Sequence, residues 1–106
     1  MTPGFPDGDE GPFFCPHSAV MEGFLKYVPH LESQLDVRRV DFVRPRPAIV
    51  ELLGEENQGT PVLVLAEDHD SDEDTQVSDQ TGRAFILGEM DISRFLSREL
   101  GIMKPH

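Results

Sequence analysis

The most restrictive feature of this chain is an unbroken apolar run, Pro61-Val62-Leu63-Val64-Leu65. A strand with one face in water alternates apolar and polar side chains; a run without alternation marks a strand buried on both faces. The run therefore predicts a central strand. Arg83 to Leu87 reads as a second strand and its hairpin partner, bracketed by Gly82 and Gly88. Val37 to Val43, rich in β-branched and aromatic residues, predicts a third, with Arg38, Arg39 and Asp41 suiting an edge. Val20, Met21, Phe24, Leu25 and Val28 fall on one helical stripe, entered at Pro16 and stopped at Pro29. Pro45 and Pro47 introduce a short helix through Ile49, Val50, Leu52 and Leu53, ended by Gly54. A last helix, N-capped at Asp91 or its neighbour, carries Ile92, Phe95, Leu96 and Leu100 to Gly101. Met1 to Pro12, with three prolines and three glycines, reads as irregular. The order helix, strand, helix, strand, strand, helix describes an α/β chain, and 106 residues fit a single domain over 1–106.

Charge is concentrated rather than spread. The chain has 20 acids against 9 bases, and seven of the acids fall between Glu67 and Asp79 without a base among them. Such a run repels itself and buries nothing, so residues 67–81 are expected to form a solvated acidic loop. Asp68, Asp70 and Asp72 match the first ligands of a calcium-binding EF-hand loop. Glu73 then stands where that loop needs glycine and Asp79 where it needs a bidentate glutamate, so no calcium site is expected. A net charge of −11 argues against nucleic acid, which requires clustered Lys and Arg. No apolar stretch approaches the roughly 20 residues that span a bilayer. Met1-Thr2-Pro3-Gly4 opens no secretory signal, so a cytoplasmic protein without membrane contact is expected. One cysteine excludes an internal disulfide framework and a multi-thiolate zinc site.

That cysteine opens the one constellation with chemistry in it, Cys15-Pro16-His17-Ser18. A thiol at a helix start faces unpaired backbone N–H groups and the positive end of the helix dipole, which stabilise its thiolate. Thiols so placed have pKa values of ~3.5–7.5. His17 adds a charge beside the sulfur, and the Ser18 hydroxyl lies about one turn on. The alternative is a small buried hydrophobe without reactivity. His17 reads as a surface helix residue, and His30, His69 and His106 stand at no ligand spacing to it, so no metal is expected. Glu55 to Gln58 read as a polar turn without assigned chemistry.

These residues and the order of elements resemble the thioredoxin superfamily. Cys15-Pro16-His17-Ser18 is similar to the Cys-Pro-His-Cys of its oxidising members with the resolving cysteine replaced, and monothiol glutaredoxins end the same motif in serine. Gly59-Thr60-Pro61-Val62 is similar to the segment in which the superfamily places a cis-proline beside the active cysteine. The resemblance implies a central mixed sheet flanked by helices, Pro61 as the cis-proline, and a Thr60 backbone that pairs with bound peptide or glutathione. More narrowly, Phe13-Phe14-Cys15-Pro16-His17, Arg44-Pro45-Arg46-Pro47 and Leu53-Gly54-Glu55-Glu56-Asn57-Gln58 resemble an uncharacterised bacterial thioredoxin-like family, domain of unknown function 3088, over Pro3 to His106.

Two departures qualify what the resemblance implies. Relatives place an apolar strand before the segment matching Pro3-Gly4-Phe5, whereas here only Met1 and Thr2 precede it. The first strand of the sheet is therefore expected to be missing or truncated. Glutathione transferases carry an acid–serine pair before a final-helix pattern like Ile92, Phe95, Leu96; Gly88 and Glu89 stand there without the serine, which weakens the implied glutathione cofactor. Three functional classes follow. The first is a monothiol oxidoreductase with Cys15 as nucleophile, His17 as its electrostatic neighbour, Ser18 as hydrogen-bond donor and Thr60-Pro61 as substrate rest, its partner a protein thiol or glutathione. The second is a non-catalytic binding module on the same fold. In the third, another polypeptide or a second copy completes the sheet; no sequence feature fixes the oligomeric state.

Overall fold

The structure is a computed structural model and describes residues 1–67 and 75–106. It has two small antiparallel sheets and three helices. The calcium-like pattern of Asp68, Asp70, Asp72 and Glu73 lies outside the described residues, as does the 68–74 part of the acidic loop.

The first elements depart from expectation. Met1 to Pro12 is not irregular throughout: β1 (Phe5–Asp7) and β2 (Glu10–Phe13) form a hairpin with Phe5 opposite Phe13 and Asp7 opposite Glu10. Its tight turn depends on Gly8, whose φ of +62° suits the first position of a two-residue hairpin loop. The Phe5 ring stacks on Phe42 at 4.4 Å, so the hairpin is anchored by a residue distant in sequence. Helix α1 (Pro16–Tyr27) begins at the proline that fixes its first turn. Met21 and Phe24 on its stripe pack on the core, and the chain leaves at Val28, whose N–H still bonds to the Phe24 carbonyl at 3.1 Å.

Val37 to Val43 does not form a strand. The segment has strand-forming residues but, among the described residues, no partner to make a ladder with; its carbonyl at Val40 accepts one bond, from the Thr2 N–H at 2.8 Å. Its arginines are committed to acids instead, Arg38 to Asp36 and Arg39 to Glu22 and Glu32. Helix α2 (Pro47–Leu53) follows, entered at Pro47 and ended at Gly54, where φ is +82°.

The main sheet has the order β3 (Val62–Val64), β5 (Ala84–Leu87), β4 (Gln76–Val77). Val62 pairs with Leu87, Leu63 with Ile86 and Val64 with Phe85; bonds from Gly88 N to Pro61 O and Leu65 N to Ala84 O extend the pairing across the whole apolar run. The expected hairpin partners are thus paired. The run is not central, however: β3 lies at an edge and β5 in the middle. Among the described residues the sheet is antiparallel throughout, not mixed, because nothing from the first half of the chain joins it. Strand β4 falls inside the span expected to be wholly loop. It is held there by its bonds to β5 and by Ser78, whose buried hydroxyl donates to the Leu53 carbonyl at the end of α2.

Helix α3 (Glu89–Leu100) starts earlier than the expected Asp91 cap. Gly88 is the cap, and Glu89 and Asp91 occupy the first turn, where acids complement the dipole. Gly101 closes the helix in the left-handed conformation, with Ile102 N bonded to Ser97 O. The sheet is covered on both faces, as the apolar run requires. Ala84, Ile86 and Leu65 pack against Ile92, Phe95 and Leu96 of α3 with Met21 and Phe24 of α1. Phe85, on the opposite face, packs on Ile49 and Leu53 of α2, with Val62 and Val64 beside them. Among the described residues no helix is long and apolar enough to cross a membrane.

Candidate functional site

Cys15 is the N-cap of α1, in extended backbone geometry and partly exposed. Partial burial pushes the thiol up. That push is outweighed by the Ser18 hydroxyl, by the backbone N–H groups of Ser18 and His17, and by the His17 charge. The net result is a thiol held below its ordinary value. Pro16 produces this placement, since a proline at the first helical position leaves the preceding residue as cap.

His17 points away from the helix to Glu89, the first residue of α3, with Nδ1 2.8 Å from Oε1. The carboxylate raises the His17 pKa through the hydrogen bond and its charge, and the imidazole in turn lowers that of Glu89. Ser18 is buried, and its Oγ accepts a bond from the Met1 amine at 3.3 Å.

The Thr60–Pro61 peptide bond is cis. Both residues line an open cleft of about 510 Å³ together with Ser18, whereas Cys15 and His17 are not part of that lining. The cleft runs between the extended residues 35–40 and β3, under an apolar roof that includes Met21 and Leu96 and over a floor that includes Ile49 and Leu52. Of the five residues expected to form one site, the structure gathers Cys15, His17 and Ser18 at the start of α1. Ser18 then forms the link to Thr60 and Pro61.

Two residues of this region carry no warning in the sequence. Glu89 lies 72 positions from His17. Arg46 stands between two prolines in no apolar pattern, yet it is 5% exposed. Its guanidinium donates to the carbonyls of Gln58 at 2.6 Å, Phe42 at 2.7 Å and Asp41 at 3.1 Å. Its backbone N–H is accepted by Gln58 Oε1 at 2.8 Å, which gives the polar turn after α2 a structural task. Burial pulls the Arg46 pKa down and the Arg44 charge adds to this, while the Cys15 thiolate works the other way. Arg46 thus ties residues 41–42 to Gln58, two positions before Thr60. Among the described residues no group of three or more His, Cys, Asp or Glu side chains is arranged to hold a metal ion.

A family model described as "Protein of unknown function (DUF3088)" matches residues 1–104. No curated protein and no solved structure matches the chain. The chain belongs to the DUF3088 family.

Proposed function

We propose that this chain is a monothiol thiol–disulfide exchange protein of thioredoxin-like architecture. The observation that supports the reading best is the field at Cys15, where Ser18, two helix N–H groups and the Glu89-bound His17 all favour the thiolate. The thiolate attacks a disulfide R–S–S–R′; a Cys15–S–S–R bond forms, the R–S–S–R′ bond breaks, and R′S⁻ leaves with the electron pair. Ser18 has no thiol with which to resolve the product. A second, external thiol therefore attacks, forms the disulfide with R and returns Cys15 as thiolate. Glutathione or a protein thiol supplies R, and a reducing compartment such as the cytoplasm supplies the external thiol. The test is the pH dependence of Cys15 alkylation by iodoacetamide, with glutathione disulfide as exchange partner monitored by intact mass. The expected result is an inflection well below the ordinary thiol value of about 8.5 and a glutathione adduct reversed by added thiol. An inflection at or above that value refutes the reading.

A second reading, a non-catalytic binding module, is favoured by the cleft. Pro61, Leu63 and Leu65 direct their backbone groups to β5, so Val62 and Val64 direct theirs to the open edge that faces the cleft. Across it Val40 already accepts a strand-like bond from Thr2. The outward backbone groups of Val62 and Val64 and apolar walls above and below suit one kind of occupant, an extended aliphatic peptide added as a strand. A lysine-flanked Val/Ile pentapeptide is expected to slow amide exchange at Val62 and Val64, and its alternately N-methylated version to have no effect. Equal effects, or none, refute this reading.

A further inference from the structure

We propose that Glu89 is a positioning residue for the Cys15 nucleophile, acting through His17. The inference rests on the thiol-exchange reading above. Glu89 opens α3 and His17 is the second residue of α1, and the two helices pack together, so the 2.8 Å contact joins two helix starts. The Glu89 side chain is only 19% exposed against 64% for His17, so the carboxylate is the fixed partner and the imidazole the group it aims. With Nδ1 engaged, the proton of the neutral ring stays on Nδ1 and Nε2 is the nitrogen that titrates. The carboxylate favours the imidazolium, and the imidazolium favours the thiolate two residues earlier. Glu89 is not among the groups that shift Cys15, whereas the His17 charge is; Arg46 is the other cation coupled to the thiolate. The other charged groups around the site are the Met1 amine, reaching Ser18, and Arg46 with Arg44 on the far side. Asp91, in the first turn of α3, is turned to Arg94 instead.

A merely structural tether between two helices would leave the thiol's pH profile unchanged, and this decides the experiment. Iodoacetamide rate–pH profiles are measured for the wild type, Glu89→Gln, Glu89→Asp, His17→Asn and the double variant Glu89→Gln/His17→Asn, with the His17 ring titrated by NMR in the first two. In Glu89→Gln the Cys15 inflection moves up and the rate at pH 7 falls roughly 2- to 5-fold, the range expected for an exposed charge pair. Glu89→Asp recovers part of the rate, and in the His17→Asn background Glu89→Gln has no further effect. An unchanged inflection in Glu89→Gln overturns the proposal, as does the same upward shift when His17 is absent. A wild-type inflection at the ordinary thiol value instead overturns the thiol-exchange reading itself. A low wild-type inflection that ignores Glu89 leaves that reading standing and removes only this inference.

Discussion

Replacing Arg46 by methionine tests whether the clamp at the candidate site is a real constraint. The substitution keeps an unbranched side chain of similar reach and removes every donor. Three carbonyls then lose their partner. The Gln58 carbonyl bond, at 2.6 Å, is buried, and losing a bond from a charged donor there costs about 1.5–3 kcal/mol. The Phe42 and Asp41 carbonyls are only partly buried and regain some water, so they add roughly 0.5 kcal/mol each. Relief of the buried guanidinium's own desolvation offsets part of this. The expected net loss is about 3 kcal/mol, and with a domain of this size it lowers Tm by roughly 12–24 °C. Urea unfolding followed by circular dichroism gives the free energy, and a thermal scan gives Tm. Arg46→Lys, which retains one donor group for the Gln58 carbonyl, is expected to lose less. If Arg46→Met lies within about 0.5 kcal/mol of wild type, water serves those carbonyls as well as the arginine does, and the clamp argument fails.

Ser18→Ala removes the hydroxyl that favours the Cys15 thiolate, so the thiol pKa is expected to rise and alkylation at pH 7 to slow about 3- to 10-fold, the worth of one ordinary net hydrogen bond; an unchanged rate would place the effect in the helix N–H groups and the His17 charge. The His17–Glu89 pair gives a signed pH dependence. The raised His17 pKa contributes stability that is complete below its ordinary value of about 6.5 and is lost as pH rises through the raised one. The lowered Glu89 pKa contributes stability present above its ordinary value of about 4.3 and lost as pH falls through the lowered one. The Tm gap between wild type and Glu89→Gln should therefore be widest between those two values and close on both sides, and a gap independent of pH contradicts the assignment. Gly54→Ala forces a side chain into φ +82° and drives its Cβ against the Gln80 side chain, so a loss of about 1–3 kcal/mol is expected in urea unfolding. Adding Gln80→Ala should relieve the contact with the Gln80 amide but not that with its Cβ, and complete recovery would show that the backbone is unstrained.

The parts of the molecule that were legible in the sequence are those fixed by local covalent geometry or by pattern within one element. Pro16 and Pro47 set helix starts because proline fixes φ, and Gly54 and Gly101 set helix ends because they accept positive φ. Cys15 follows as N-cap, and Ser18, three residues on, falls beside it. What was not legible depends on partners far along the chain. The Phe5–Phe13 hairpin shows no clean alternation and is anchored by Phe42, a contact no local pattern encodes. Glu89 meets His17 only because α1 and α3 pack together. Arg46 is buried because backbone carbonyls, which every residue carries, converge on it.

The two misplaced strands share one physical cause. Strand propensity describes a side chain's fit to a sheet, but a strand exists only where another backbone answers its N–H and C=O groups. Val37 to Val43 was expected to be a strand and Pro61 to Leu65 to be central; each expectation requires a neighbour on the same side of β3. The outward groups of Val62 and Val64 look onto the 510 Å³ cleft that Val37 to Val40 also line, while the Val40 carbonyl is taken by the Thr2 N–H. Their side chains are nevertheless apolar on both faces of the gap, with Leu63 packed toward α3 and Val40, Val62 and Val64 toward α2. An extended backbone pairing with the outward groups of Val62 and Val64 would move β3 from edge to interior. Among the described residues both discrepancies have the same origin, the lack of a backbone neighbour for either segment beside the cleft.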